Sequence, residues 1–221
     1  MKIYICGDST AASYTEERAP LTGWGMKLGD YLPGVEVVNK AMAGRSTKSY
    51  LYEGRLTEIE KTLAAGDLLL IQFGHNDTSD LVWRHTDAYT SYINNLSIFI
   101  DTARMVGAIP VLLTPICVRS FREDGTLRPS HGVYPDAIRT LAGSKNVPLI
   151  DMYQLTFDNI AKLGDEASRK LHMHLEPGVY PAYPDGQKDD THTQVLGAQT
   201  NAKFVAEGLR KLGLIKEGEE A

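Results

Sequence analysis

A serine near the amino terminus and a histidine near the carboxyl terminus are the residues best suited to chemistry in this sequence. Ser9 follows the short apolar segment 3–6, and His192 ends the segment DDTH at 189–192. A serine hydroxyl becomes a strong nucleophile when a neighbouring base takes its proton, and histidine suits that work near neutral pH. The sequence therefore predicts Ser9 as the nucleophile of an acyl transfer and His192 as its general base.

A carboxylate is needed beside the histidine. A histidine base requires an acceptor on its second ring nitrogen, which fixes its tautomer and orientation. Asp189 lies three residues before His192, and on a tight turn entering a helix this spacing places its carboxylate against Nδ1. Asp190 competes for the role, but adjacent side chains point differently, so only one should reach His192. We expect Asp189 to be the partner and Asp190 to cap the following helix.

Donors for an oxyanion are also present. The negative charge that develops on an attacked carbonyl requires preorganised hydrogen-bond donors. Gly44 offers a backbone N–H that no side chain obstructs, and Asn76 offers its side-chain amide. Together with the N–H of Ser9 they form a candidate oxyanion hole. Each residue also has a simpler interpretation: Ser9 as a helix N-cap, Asn76 as a turn residue and Gly44 as a flexible turn position.

The elements that position these residues follow from the hydrophobic pattern. Strands are predicted at residues 2–6, 35–39, 67–73, 109–114 and 147–150. Helices are predicted at residues 25–32, 55–64, 88–106, 136–141, 153–163 and 193–212. This alternation favours a parallel sheet covered on both faces, so we expect a three-layer α/β/α sandwich with a flavodoxin-like five-stranded sheet in the order 2-1-3-4-5.

Ligands of such sheets bind beyond the carboxyl ends of the strands. Ser9, Gly44 and Asn76 each follow one of the first three predicted strands, and the segment 189–192 precedes the last helix. We therefore expect these residues to converge at one edge of the sheet. The segments 119–134 and 171–190 are expected to be long loops, which are often functional in compact domains.

Four sequence blocks, in order along the chain, resemble those of the GDSL or SGNH hydrolases: GDS at 7–9, Gly44, GHND at 74–77 and Asp189-x-x-His192. The letters SGNH stand for a serine, a glycine, an asparagine and a histidine. The resemblance implies that these are Ser9, Gly44, Asn76 and His192, with Asp189 as the acidic triad member. Longer matches resemble the rhamnogalacturonan acetylesterases, namely GDSTAASY at 7–14, GWG at 23–25, NKAMAGRSTKSY at 39–50, EGR at 53–55, QFGHND at 72–77 and DDTHT at 189–193. That group removes acetyl groups from the pectin backbone without a metal, so the resemblance implies an acetylated pectic oligosaccharide as substrate and no cofactor.

Two other functions are consistent with parts of the pattern. A thioesterase or lysophospholipase of the same superfamily would keep the catalytic residues and change the acyl group, but no long apolar tract near the blocks suggests an acyl channel. A non-catalytic carbohydrate-binding protein would not need the set Ser9, Asp189 and His192.

Trp24, Arg45 and His75 are candidate substrate-binding residues near the expected cleft. Trp24 could stack on a sugar ring, although packing in the interior is the commoner fate of tryptophan. Arg45 could bind a galacturonate carboxylate, because a guanidinium matches it with two hydrogen bonds. His75 has an alternative structural role beside Asn76, in which it bonds local backbone.

His172 and His174 raise the question of a metal, since histidines and carboxylates bind zinc. An H-x-H pair on a loop is weak evidence, so we expect no metal site and place His172 or His174 at the cleft or the surface.

Composition sets the remaining expectations. The 221 residues with a net charge of −5 predict one domain spanning 1–221 and argue against a nucleic-acid partner, which would require a basic face.

No apolar run approaches the roughly 18 residues of a membrane span, and the start MKIYIC lacks a signal-peptide core, which predicts a cytoplasmic protein unless a leader has been removed. Cys6 and Cys117 are expected to be two buried thiols. The oligomeric state is left open.

Overall fold

The computed structural model describes residues 1–216 and contains the predicted parallel sheet. Its strands are β1 (Lys2–Gly7), β2 (Glu36–Asn39), β3 (Leu68–Gln72), β4 (Ile109–Leu113) and β5 (Leu149–Ile150). They lie in the order β2-β1-β3-β4-β5, and all four pairings are parallel. The predicted fold class and strand order are therefore confirmed. Every residue of the central strand β3 is buried, as expected for a strand that is covered on both faces.

Within residues 1–216, six α-helices complete the layers: α1 (Thr47–Tyr52), α2 (Arg55–Glu60), α3 (Ile93–Met105), α4 (Tyr134–Lys145), α5 (Met152–Ser168) and α6 (Val195–Lys211). Side chains of α1 to α4 form one apolar core with one face of the sheet. Side chains of α5 and α6 form a second core with the opposite face. Gly164 has a non-helical conformation and interrupts α5.

The predicted helix at 25–32 is wrong. This segment forms two short 3-10 turns, Trp24–Met26 and Leu28–Tyr31, which pack against α6. Close packing explains part of the difference: a side chain at Gly25 would lie 2.5 Å from the carbonyl oxygen of Ala11. The predicted helix at 88–106 is better described as a π-helical turn, Ala88–Tyr92, that leads into α3.

The expected loop at 171–190 is also wrong, because it contains most of an antiparallel strand pair. The strands are β6 (His172–Leu175) and β7 (Gln187–Thr193). A register irregularity separates the pairs His172 with Thr193 and Met173 with Asp189, so residues 190–192 form a bulge in β7. Asp189 and His192, which were predicted to lie on a turn before the last helix, therefore lie on a bulged strand. By contrast, the segment 119–133 is a loop with a single isolated bridge, Phe121 with Leu127.

Two further predictions concern the interior and the surface. Cys6 and Cys117 are free, buried thiols, which confirms the prediction for both. Across residues 1–216, no helix combines the length and the apolar character that a membrane crossing requires.

Candidate active site

The structure brings together the hydroxyl, imidazole and carboxylate that were predicted from opposite ends of the chain. Ser9 lies two residues after β1, and its Oγ is 2.9 Å from Nε2 of His192. The Nδ1 of His192 lies 2.7 Å from Oδ2 of Asp189. Because His192 and Asp189 both lie on β7, the strand pair beside the sheet, rather than the sheet itself, supplies the base and its acceptor.

The two adjacent aspartates have different partners. Oδ1 of Asp189 accepts hydrogen bonds from the backbone N–H groups of Thr191 and His192, at 2.8 and 3.0 Å. Asp190 instead forms an ion pair with Arg119 and accepts from Nε2 of His174 at 2.7 Å. Successive side chains of a strand point in opposite directions, which separates the two carboxylates. The expectation that Asp190 caps the last helix is therefore wrong.

Electrostatics around Asp189 and His192 suit a general base. Burial raises the pKa of Asp189, but the hydrogen bonds from His192 and from the backbone outweigh burial and leave this pKa below its ordinary value. The hydrogen bond to Asp189 raises the pKa of His192, while burial and the positive charge of Arg18 oppose the rise. An ionised Asp189 at neutral pH holds the proton of neutral His192 on Nδ1 and leaves Nε2 as the acceptor that faces Ser9.

Asn76 is held in one orientation by two contacts. Its Nδ2 donates to the carbonyl oxygen of Arg45 at 3.0 Å, and its Oδ1 accepts from Nη1 of Arg84 at 2.9 Å. An amide nitrogen carries two hydrogens, so one remains for another acceptor. Asn76 lines the same cleft as Ser9 and His192, which puts this amide beside the nucleophile.

Gly44 also lines this cleft, which has a volume of about 380 Å³. Its φ is +78°, a left-handed conformation, and a Cβ atom built there would meet no other part of the protein within 4 Å. Glycine is therefore favoured by the backbone conformation rather than by lack of space. In residues 1–216, neither the Gly44 N–H nor the Ser9 N–H donates to a protein backbone acceptor.

Asp8 and His75 lie behind the nucleophile. Asp8 is fully buried, and its Oδ1 accepts from the N–H and the hydroxyl of Thr10 at 2.9 and 2.8 Å. Its Oδ2 lies 3.3 Å from Nδ1 of His75, whose ring packs against that of His131 with 4.3 Å between the centroids. The expectation that His75 contacts substrate is wrong, because the ring is enclosed by these groups and does not line the cleft. Its structural role involves Asp8 rather than local backbone.

Two more candidate substrate contacts are corrected by the structure. Trp24 is fully buried, and its Nε1 donates to Oε1 of Gln72 at 2.7 Å, so its ring cannot stack on a sugar. The guanidinium of Arg45 is paired with Glu53 at 3.0 Å and also donates to the Ala43 carbonyl oxygen. Arg45 is not among the cleft-lining residues and its guanidinium is already paired with Glu53, so the structure does not support the expected contact with a galacturonate carboxylate.

His172 and His174 do not line the cleft that contains Ser9. His172 is buried, its Nδ1 lies 3.1 Å from the Ser168 carbonyl oxygen, and burial lowers its pKa. Of the two histidines expected at the cleft or the surface, His172 is therefore at neither. His174 is partly buried, pairs with Asp190 and lines a neighbouring depression. Within the described chain, no group of three or more histidine, cysteine, aspartate or glutamate side chains is arranged to hold a metal ion.

Several cleft residues were not predicted from the sequence. They come from the loop after β1, from the segment before the π-helical turn, and from the β6–β7 region: Tyr14, Arg18, Leu21, Arg84, Met173, Tyr183 and Gln187. Tyr14 additionally donates from its hydroxyl to the Ser9 carbonyl oxygen at 2.7 Å. These residues lie in segments whose sequences have no clear helical or strand periodicity, so the sequence does not indicate which way their side chains face.

A serine held by a histidine–aspartate pair, at the carboxyl edge of a flavodoxin-like sheet and beside several oxyanion donors, defines the class of serine esterases. Comparison with known proteins identifies the family. The model of the GDSL-like Lipase/Acylhydrolase family matches residues 5–177, and this chain belongs to that family. The resemblance noted from the sequence is thereby confirmed.

Individual relatives cover nearly the whole chain. It is 41% identical to the rhamnogalacturonan acetylesterase RhgT of Bacillus subtilis, over 97% of this chain and 91% of RhgT. It is 36% identical to the probable rhamnogalacturonan acetylesterase YesY of the same organism, over 96% of this chain and 94% of YesY. The crystal structure of Bacillus subtilis YxiM superposes with a TM-score of 0.82 at 26% identity, covering 96% of this chain and 56% of YxiM.

Proposed function

We propose that this protein is a carbohydrate acetylesterase that removes acetyl groups from acetylated rhamnogalacturonan oligosaccharides, with Ser9, His192 and Asp189 as its catalytic residues. The observation that carries the proposal is the 2.9 Å contact between Ser9 Oγ and His192 Nε2, at the floor of an open cleft. Two relatives that match nearly the full length of the chain, one a rhamnogalacturonan acetylesterase and the other a probable one, support the substrate class.

The first half-reaction forms an acetyl-enzyme. Nε2 of His192 takes the proton of Ser9 while Oγ bonds to the acetyl carbonyl carbon, and Asp189 stabilises the imidazolium that results. The carbonyl oxygen becomes an oxyanion that accepts from the N–H groups of Ser9 and Gly44 and from Nδ2 of Asn76. When the bond to the sugar oxygen breaks, the imidazolium gives that oxygen its proton, and the sugar alcohol leaves.

The second half-reaction restores the enzyme. A water molecule gives a proton to His192 and bonds to the acetyl carbon, which regenerates the same oxyanion against the same donors. Breaking of the bond to Ser9 releases acetic acid, and the imidazolium returns its proton to Oγ. Every proton that moves in this cycle passes through His192.

The cleft lining favours a sugar over a long acyl chain. Polar side chains surround the nucleophile on several sides, from Tyr14, Arg18, Arg84, Tyr183 and Gln187. The apolar side chains of the lining are fewer, namely Leu21 and Met173, which pack together, and Ala43. This arrangement is our reason for preferring acetyl esters of sugars to the substrates of a thioesterase or lysophospholipase.

The test measures acetate release from acetylated rhamnogalacturonan oligosaccharides and from nitrophenyl esters of increasing chain length. We expect release from the oligosaccharides, and a preference for acetyl over acyl groups longer than four carbons. Ser9→Ala should abolish both activities, whereas the matched control Ser144→Ala, on the exposed surface of α4, should not change them. A preference for long acyl chains, or undiminished activity of Ser9→Ala, would refute the proposal.

We also propose that residues 1–221 act as one hydrolase domain. The nucleophile follows the first strand and its base lies on the last one, so the site requires both ends of the described chain. The match to RhgT over 97% of the chain supports this reading.

A further inference from the structure

Two arginines line the cleft beside the nucleophile. Arg18 is exposed and ends a 3-10 turn, Glu16–Arg18, in the loop after β1. Arg84 is partly buried and lies in the irregular segment between β3 and the π-helical turn. Because they come from separate parts of the chain, their shared position is a property of the folded cleft.

Neither guanidinium is neutralised by the chain. In residues 1–216, no carboxylate oxygen lies within 4.0 Å of either one. Among the other arginines, by contrast, Arg45 is paired with Glu53, and Arg119 with both Asp165 and Asp190. The chain has a net charge of −5, so two unpaired cations in one concavity are not the result of excess basic residues. Cationic clefts of this kind concentrate anions.

Arg84 is also held in place before any ligand arrives. Its Nη1 donates to Oδ1 of Asn76 at 2.9 Å, and its Cζ lies 5.3 Å from the centroid of the Trp83 ring. A guanidinium that is already ordered loses less conformational freedom when it binds a ligand.

The acidic groups nearest the cleft do not compete for the arginines. Asp189 is committed to His192 and to two backbone N–H groups. Asp8 is buried behind Ser9, where it bonds to Thr10 and faces His75. An anion that enters from solvent would therefore meet two positive charges, while the carboxylate of Asp189 in the same cleft is already bonded to His192 and to the backbone.

We infer that Arg18 and Arg84 form a binding site for the carboxylate of a uronic acid residue that lies next to the acetylated position of the substrate. The inference rests on the proposed function for the ester chemistry and deepens it, because it names the feature that separates the substrate from a neutral acetylated glycan. It also transfers to these two residues the role that the sequence had suggested for Arg45.

Competitive inhibition tests this site without requiring that a sugar be hydrolysed. Digalacturonate and its dimethyl ester differ in charge but hardly in shape, and each is added to the hydrolysis of 4-nitrophenyl acetate. Wild type should bind the acid about tenfold more tightly than the ester, as expected for charge-assisted hydrogen bonds. This preference should weaken as ionic strength rises.

Substitutions of the arginines test whether Arg18 and Arg84 provide the preference for the acid. Arg18→Gln and Arg84→Gln should each lower the ratio of the two inhibition constants several-fold, whereas Arg45→Gln should leave it unchanged because that side chain lies outside the cleft. Arg84→Lys keeps a positive charge and should retain part of the preference. If Arg84→Gln hydrolyses the ester too slowly to assay, since its contact to Asn76 is lost, calorimetric titration with the same two sugars supplies the ratio.

Failure of this inference differs from failure of the proposed function. Equal inhibition by acid and ester in wild type, or an unchanged ratio in both glutamine variants, would overturn the carboxylate site. Preference for the acid together with no acetate release from acetylated rhamnogalacturonan would instead overturn the proposed substrate and leave the carboxylate site standing.

Discussion

Replacement of Asp189 by asparagine should invert the tautomer of His192. In the protein, Oδ1 of Asp189 accepts from two backbone N–H groups, those of Thr191 and His192, and Oδ2 faces Nδ1 of His192 at 2.7 Å. An asparagine must keep its oxygen toward the two donors, so its NH₂ group turns to Nδ1. The imidazole then accepts at Nδ1 and carries its proton on Nε2, the nitrogen that should receive the proton of Ser9.

The size of the effect follows from this inversion. The same change in a serine protease triad lowers kcat about 10⁴-fold, equivalent to about 5.4 kcal/mol of activation free energy, and we expect a loss of that order. His192→Ala should cost more, on the order of 10⁶-fold, because it removes the proton acceptor itself. The asparagine also lacks the charge that raises the pKa of His192, so the acid limb of kcat/KM should move to lower pH.

The assay is the pH profile of 4-nitrophenyl acetate hydrolysis by the Asp189→Asn protein. Asp190→Asn is a matched control, since it changes the adjacent aspartate, which pairs with Arg119 and His174 and not with His192. The control should keep most of its turnover and lose stability instead. Activity of Asp189→Asn within tenfold of wild type, or an acid limb that does not move, would refute the reasoning.

Three further changes test other parts of the site. Asn76→Ala removes one oxyanion donor and should lower kcat about 10²- to 10³-fold with little change in KM; a loss confined to KM would contradict the role. Gly44→Ala should lower the free energy of unfolding in urea by about 1–2 kcal/mol, because φ is +78°, whereas Gly29→Ala, with no left-handed backbone and open space around it, serves as the control. Arg18→Gln removes a charge that lowers the pKa of His192, so the acid limb of kcat/KM should move to higher pH; a shift to lower pH would count against this charge effect.

The sheet and the order of its strands were predictable because the strands are apolar runs. A strand that is almost entirely apolar, such as 67–73, must lie in the interior of a domain of this size. The rules for connecting parallel strands then allow few strand orders. The polar residues that follow such strands then lie at one edge, which is why Ser9, Gly44 and Asn76 were placed near one another before any geometry was known.

The strand that carries the base was not predictable in the same way. β7 has the sequence QKDDTHT, which contains no apolar residue and no strand periodicity, and it is defined by its pairing with β6. The spacing of Asp189 and His192 still identified the pair, since three residues can bring the two side chains together on a bulged strand as well as on a turn. The assignment was thus correct in its geometry although the local structure was wrong.

Substrate contacts were the least predictable part. Trp24 and Arg45 were candidates because of their positions in the sequence, but their contacts with Gln72 and Glu53 determine where these side chains go. Arg84 enters the cleft from a segment with no regular structure, so only tertiary packing reveals it.

The contact between Ser9 and His192 is the central claim, and labelling with a fluorophosphonate probe tests it most directly. The probe reacts only with a serine whose proton is taken by a base, and mass spectrometry of the digested protein locates the adduct. We predict a single adduct on Ser9 that is lost in His192→Ala and kept in His174→Ala. An adduct on another serine, or equal labelling of Ser9 without His192, would contradict the account.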